Sequence, residues 1–372
     1  MIALRLVPRA QPSRAMLFGA PLIAVGLTLF VCLLVFAALG HSPWQGFHVF
    51  FIEPVSDFNG VSELLLKASP LCLIALGLAI GFRANVWNIG AEGQMYLGGI
   101  FATGLAIHFN EGGGAWLIPA MVVAGALGGA AWASITAFLR ARFHTNEILV
   151  SLMLTYVADL LVKYLVYGPW RDPNANNFPI SLTFGEDATF ALLASSGWEW
   201  LEGTRINTSV FLTLAAIPVA WVFMERSFLG FQLTVAGHAP AAARYAGFSD
   251  KRMVWIALLI SGAAAGVAGV SEVAGPIGNL NDRWTPGYGF TAIIVAALGR
   301  LNAIGIVLAA LLMALLYLGG EAAQISMQLP KAISQVFQGL LLLFLLGGDV
   351  LVNYRLEWRA GTPTRAPVET LT

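Results

Sequence analysis

The chain has 372 residues, 58% of them hydrophobic and 11% charged, with a mean hydropathy of +0.76. Soluble domains carry about 25% charged residues, so this composition excludes one and reads as an all-α polytopic membrane protein, a single transmembrane domain over residues 1–372. Acidic and basic residues balance to a net charge of zero, which leaves no basic excess for nucleic acid.

Ten apolar segments follow one another at about 17–39, 64–82, 90–109, 116–139, 145–167, 208–225, 253–275, 288–299, 303–320 and 330–347. Crossing a bilayer takes about 20 apolar residues, so the eighth is too short for a regular span. The first follows Arg5, Arg9 and Arg14, lacks a small-residue cleavage site, and is expected as a retained helix. Cys32 and Cys72 lie in apolar runs and behave as small hydrophobes. Placing the N-terminus inside puts only Lys67, Lys163, Arg171, Arg205, Arg283 and Lys331 outside or at outer helix ends. The other 14 of the 20 lysines and arginines then face the cytoplasm. Both termini (1–16 and 348–372) are accordingly expected as cytoplasmic tails, 168–207 as an outer loop and 226–252 as a cytoplasmic loop. The outer loop carries Trp170, Trp198 and Trp200 among prolines, which suits either a lip for an external partner or a plain connection.

Segments two to five begin outside and seven to ten begin inside. The third opens on Asn88-Ile-Gly-Ala-Glu-Gly-Gln-Met-Tyr-Leu-Gly-Gly99 and the eighth on Pro286-Gly-Tyr-Gly-Phe-Thr-Ala. Glycine-rich breaks at matching positions of oppositely directed halves suggest an inverted repeat.

Polar residues inside apolar segments mark the candidate site. Asn88, Glu92 and Tyr96 recur every four residues, one face of a helix if the segment is helical there. Asn85, Trp87 and Gln94 belong to the same stretch. It reads either as a path or gate, or as a hydrogen-bond network that locks helices across Gly90, Gly93, Gly98 and Gly99. A second stripe, Glu147, Ser151, Thr155, Asp159 and Lys163, faces a passage or packs on another helix, with an Asp159–Lys163 pair near its outer end. Asn146-Glu147 suits the helix start. Glu272, Asn279, Asn281, Asp282, Tyr288 and Phe290 are placed to meet a solute entering from outside. In the cytoplasmic loop, Ala239 to Gly247 reads as one short helix, with Pro240 first and Gly247 as a left-handed cap. It is either a docking element for a surface partner or a helix resting on lipid headgroups. Phosphate-loop, zinc and nucleophile-elbow patterns are missing from the sequence.

The stretch Asn85-Val-Trp-Asn-Ile-Gly-Ala-Glu-Gly-Gln-Met-Tyr-Leu-Gly98 resembles the signature of ABC-importer permeases of the nucleoside and simple-sugar branch. Pro286-Gly-Tyr-Gly-Phe-Thr-Ala-Ile-Ile-Val-Ala-Ala-Leu-Gly-Arg300 and Gly237-His-Ala-Pro-Ala-Ala-Ala-Arg-Tyr-Ala-Gly247 are similar to that branch too, as are Asn146-Glu147 and the Gln338-Gly-Leu-Leu-Leu-Leu-Phe run. The likeness covers most of the chain from about Leu64. It implies a multi-pass permease in the bacterial inner membrane that moves nucleosides inward, with ribose-like sugars as the alternative. The implied partners are a second related permease, an ATPase with two nucleotide-binding modules that holds ATP and Mg, and an external binding protein. This chain itself would bind no cofactor and would not be an enzyme. Gly237, Pro240, Arg244, Tyr245, Ala246 and Gly247 would then dock in the ATPase. From another class, buried carboxylates at Glu92 and Asp159 would suit a solitary ion-coupled transporter.

Overall fold

The computed structural model describes residues 2–9, 13–109, 112–196, 201–330 and 332–360; Trp198, Trp200, Lys331 and Arg365 lie outside them. Helices occupy each of the ten apolar stretches. They are α1 (Arg14–Ala38), α3 (Phe58–Arg83), α4 (Ala91–His108), α5 (Leu117–Phe143), α6 (Glu147–Tyr167), α7 (Val210–Arg226), α10 (Asp250–Glu272), α11 (Tyr288–Leu298), α12 (Ala303–Met327) and α13 (Ala332–Asn353). Among the described residues, seven are long and apolar enough to cross a membrane: α1, α3, α5, α6, α10, α12 and α13. An eighth candidate is α7 joined to α8 (Phe228–His238), bent by 64° at Ser227. The short helices α2 (Pro43–Phe47) and α9 (Pro240–Tyr245) complete the set.

Two expectations need correction. The 226–252 stretch is not a loop with one short helix, because α8 fills its first half. Ser227 accepts a hydrogen bond from Gly230 N at 2.9 Å and starts a new helix where α7 stops. Beside its helices the all-α membrane fold carries one short ribbon. Ile2–Pro8 and Tyr354–Ala360, in stretches expected as tails, pair as antiparallel strands β1 and β2. The second correction is α4, whose start is too polar for a regular span; α11 is too short to be one, as expected of the eighth segment.

The chain divides into two compact units. In the first, made of residues 1–47 and 335–372, α1 and α13 run antiparallel. Ser13 N donates to Val352 O, and Phe36 meets Phe337 edge-on at 5.8 Å. Helix α2 also belongs to this first unit, and the second, residues 48–334, holds α3 to α12. Its centre is a three-helix contact of α4, α5 and α10 made by glycines. A β-carbon on Gly98 would strike the backbone of Gly266, one on Gly129 the carbonyl of Gly262, and one on Gly266 the carbonyl of Gly125. Lipid supplies no hydrophobic drive between helices, so close backbone approach through small residues is what joins them.

This arrangement predicts opposite outcomes for two Gly→Ala changes, read as thermal unfolding midpoints of the purified chain in detergent. Gly266→Ala forces α5 from α10 and is expected to lower stability by about 1–3 kcal/mol. Gly339→Ala, in α13 with open space around it, is expected to be neutral or stabilising by up to about 1 kcal/mol.

Candidate functional site

The site is built from two breaks in helical structure. Between α3 and α4, residues 84–90 leave the helix at Asn85, which takes the left-handed conformation (φ 54°). Backbone donors inside a membrane protein must find partners, and here they do. Val86 N reaches Gly81 O at 3.0 Å and Trp87 N reaches Glu147 at 3.4 Å. Ile89 N donates to Ser151 Oγ at 3.3 Å, and Gly90 N to Asn88 Oδ1 at 3.1 Å. Asn88 therefore does not share a helical face with Glu92 and Tyr96, since α4 begins only at Ala91. Its amide exchanges two hydrogen bonds with Gln94 (2.7 and 3.0 Å) and donates to Ser261 Oγ of α10 at 2.8 Å.

The second break lies between α10 and α11. After the π-helical turn Val273–Ile277, the chain runs through residues 278–287 before α11 starts. The expected outer loop does not hang free beside it. Phe190 N, Phe184 N and Ser181 N donate to Ala274, Gly278 and Leu280 carbonyls at 2.8 Å each. Leu280 N returns a bond to Ser181 Oγ at 2.9 Å.

Glu92 joins the two breaks. It is only 2% exposed, and its carboxylate accepts from Thr285 Oγ1 at 2.7 Å and from Gly289 N at 2.5 Å. Gly289 lies in the first turn of α11, where unpaired N–H groups and the helix dipole favour an anion. The approach needs glycine, because a β-carbon at Gly289 would fall on the Glu92 backbone. Tyr96, one turn along α4, sets its ring edge-on to Trp284 at 5.7 Å, and Trp284 rests on Gly99.

The α6 stripe packs on this start of α4. A β-carbon on Gly90 would meet Ser151 at 2.8 Å, and one on Gly93 would meet Thr155 Cα at 2.8 Å. Asn146 caps α6 by accepting from Ile148 N (2.9 Å) and Leu149 N (3.3 Å), Glu147 pairs with Arg140, and Asp159 pairs with Lys163 at 2.6 Å. Asn85, Trp87, Asn146 and Glu147 thus gather at the other end of the break, with Trp87 against Phe82 at 4.6 Å. Phe290 is exposed.

A cavity of about 300 Å³ opens beside the second break. It brings together Glu272, Asn281 and Tyr288 from the residues expected to meet a solute, but not Asn279, Asp282 or Phe290. Three carboxylates (Glu63, Glu272, Glu321) face three cationic side chains (Lys67, Arg205, Arg283) across it. Lys67 pairs with Glu321 at 3.0 Å and Arg205 with Glu63 at 3.6 Å. Sequence reasoning missed Glu63, Glu321 and Trp284. Glu321, an isolated carboxylate in the apolar run of α12, carried a usable signal.

At the opposite end, Arg83 closes α3 and ties three elements together. Its guanidinium donates to Leu301 O (2.9 and 3.2 Å) in the α11–α12 turn and to Met224 O (3.4 Å) at the end of α7, and pairs with Glu225 at 2.6 Å. Gly237 of α8 sits against the same corner, where a β-carbon would overlap the Arg83 carbonyl. From there α9 projects. Ala239 precedes it, Pro240 opens it, and Gly247 (φ 82°) ends it with Phe248 N bonded to Ala243 O at 2.9 Å and Gly247 N to Arg244 O at 3.0 Å. Arg244 and Ala246 are exposed and Tyr245 is 96% exposed.

Residues 60–346 match the family described as branched-chain amino acid transport system / permease component. The chain belongs to that family. It is 36% identical, over 95% of its length and 93% of the relative, to the glucose ABC transporter permease protein TsgB13 of Haloferax volcanii. It is 30% identical, over 87% of its length and 91% of the relative, to the guanosine ABC transporter permease protein NupP of Bacillus subtilis. A third relative is the nucleoside ABC transporter permease protein NupB of Lactococcus lactis, 28% identical over 80% of this chain and 82% of that protein. No solved structure matches. This is an ABC-importer permease of the nucleoside and simple-sugar branch, a multi-pass transport subunit rather than an enzyme. The solitary ion-coupled reading falls with that assignment, and Glu92 of the permease is held by α11 instead of standing free for a coupling ion.

Removing the Glu92 carboxylate leaves a buried backbone donor unpaired, at about 1–3 kcal/mol. Glu92→Ala is therefore expected to lower the permease's unfolding midpoint clearly, and Thr285→Val to lower it by about half as much. In a double-mutant cycle the two changes are expected to couple by about 0.5–1.5 kcal/mol, whereas additive effects would show that the bond contributes nothing.

Proposed function

We propose that this permease moves nucleosides inward across a bacterial inner membrane, driven by an ATPase that docks on α9. The observation that carries this reading is the rooted projection of α9. Arg244 and Tyr245 stand free on a six-residue helix whose base, through Gly237, presses on the Arg83 corner. A helix merely resting on headgroups has no need of that root. Arg and Tyr are also the side chains that most often dominate protein interfaces.

In this reading ATP and Mg sit on the partner, which has two nucleotide-binding modules. A second related permease completes the path, and an external binding protein delivers solute at the cavity end. Closure of the ATPase pushes α9, and the push reaches α3, α7 and the α11–α12 turn together because Arg83 bonds all of them. Both termini and the 226–252 stretch are cytoplasmic. Segments two to five and seven to ten form two oppositely directed repeats, in which α4 and α11 are the broken members that meet at Glu92. Relatives named for guanosine and nucleosides support nucleosides as cargo, and aromatic Trp284 and Tyr288 in the cavity wall suit a base. The relative named for glucose supports a second reading, a simple sugar.

Arg244→Glu combined with Tyr245→Ala is expected to lower uptake by about tenfold or more and to abolish co-purification of the ATPase, with the permease still present in the membrane. Normal uptake and normal assembly would overturn the docking assignment. For cargo, uptake of labelled guanosine in native cells is expected to be competed by unlabelled guanosine and uridine but not by ribose or glucose. Competition by the sugars alone would favour the second reading.

A further inference from the structure

Helix α8 has two faces, and the protein covers only one of them. Gly230 and Leu233 are buried, and a β-carbon on Gly230 would fall on the Phe223 carbonyl of α7. The exposed residues of α8 are Phe228, Phe231 and His238, the two phenylalanines at 67% and 55%. Their rings stack at 6.4 Å, and Phe248, beyond α9, stands edge-on to both at 6.1 and 6.5 Å.

The depth of these rings follows from α7 and α3. Helix α7 has 17 residues, and crossing a bilayer takes roughly 17–25, so α7 barely reaches across. Only Ser227 separates it from α8, and the 64° bend there turns α8 across the protein instead of onward along α7. Both ends of α8 stay at the level of Arg83, the last residue of α3. Arg83 holds Met224 O and Glu225 just ahead of α8, and Gly237 near its other end lies against the Arg83 carbonyl. Arg226 sets its guanidinium over the Trp221 ring at 5.6 Å, a pairing suited to the membrane–water boundary.

Composition then decides what covers the open rings. No Asp, Glu, Lys or Arg occurs between Phe228 and His238. The two phenylalanines lie at the end of α8 next to the span, and exposed charge returns only at Arg244 in α9. Of the polar side chains of α8, Thr234 and His238 are turned back on the helix: Thr234 Oγ1 donates to Gly230 O at 2.9 Å, and His238 Nδ1 lies 3.0 Å from Thr234 O. A surface for a soluble protein keeps a polar rim around its apolar centre, whereas an uncharged aromatic edge continuous with a span suits the boundary between acyl chains and headgroups.

We propose that α8 is an interfacial anchor, with Phe228 and Phe231 inserted among phospholipids at the foot of α7. Helices α8 and α9 then divide two roles, α8 resting on lipid and α9 standing in water. The proposal goes beyond the docking of α9 and does not depend on it.

The test places spin labels on the purified full chain in nanodiscs of phosphatidylethanolamine and phosphatidylglycerol, with no ATPase present. Cys32 and Cys72 are buried, so the label goes to the introduced thiol of Phe228→Cys, Phe231→Cys or Tyr245→Cys. Collisions with oxygen and with a water-soluble nickel chelate report depth. Labels at 228 and 231 are expected about 5–10 Å into the headgroup–acyl boundary, and the label at 245 in water. If one of the two phenylalanine variants does not accumulate, the other is read alone. Labels at 228 and 231 as open to the chelate as the one at 245 overturn the anchor. So does shielding from both reagents, which would mean packing on protein, and so does a loss of chelate access that appears only when the ATPase is bound. The two readings fail separately. Normal uptake in the Arg244 and Tyr245 double variant sinks the docking of α9 and leaves the anchor, whereas water-exposed labels sink the anchor and leave the docking.

Discussion

A carboxylate held at membrane depth is the constraint on which the core of this permease depends. On insertion scales an acidic side chain there costs roughly 2.5–3.5 kcal/mol, and Glu92 offsets this by serving two helix starts at once. It lies in the first turn of its own helix, α4, and accepts from the first turn of α11. One anion thus sits between two positive helix ends. The geometry permits nothing bulkier than hydrogen at Gly289, and it draws the start of α4 inward, where Gly90 and Gly93 let Ser151 and Thr155 close over it. Polar residues that look like the lining of a passage are consequently consumed by packing. Asn88, Gln94 and Ser261 satisfy one another, and Ser151 satisfies the irregular backbone before α4.

Much of this was legible in the sequence, and the reason is local. Helices in lipid are written in runs of apolar residues, so their positions followed from composition. The α9 turn followed from Pro240 and Gly247, whose backbone preferences act within a few residues. Glu92 and the glycines of the second break were each visible as anomalies. What the sequence withheld was that they belong to each other, because the bond spans 197 positions and no periodicity connects them. The same limit hid the cavity. Glu63, Lys67 and Glu321 come from α3 and α12, and their pairing is a product of how those helices pack. The β1–β2 ribbon failed to show for a similar reason, since its two strands lie at opposite ends of the chain. Helix α8 is a different case. Ser227 was an available cap signal, but charged Arg226 and the shortness of the apolar run after it made the stretch read as a connection.

The placement of the two special corners gives the permease its mechanical logic under the proposed coupling. Arg83 stands at one end of α3, and the Glu63 and Lys67 walls of the cavity at the other. One rigid helix therefore runs from the α9 root to the cavity. A displacement at α9 cannot be absorbed locally, because Gly237 leaves no space against the Arg83 carbonyl and Arg83 in turn holds the α11–α12 turn. Packed interfaces of this kind switch between discrete arrangements instead of deforming gradually. The part best suited to yield is the Glu92 joint. It is made of two hydrogen bonds and a dipole, directional contacts that break and re-form over short distances, whereas the glycine seams of α4, α5 and α10 interlock backbone against backbone. Motion of α4 against α11 would thus hinge at Glu92, and the cavity, lined by Trp284 and Pro286 on either side of Thr285, would change shape whenever that joint moved.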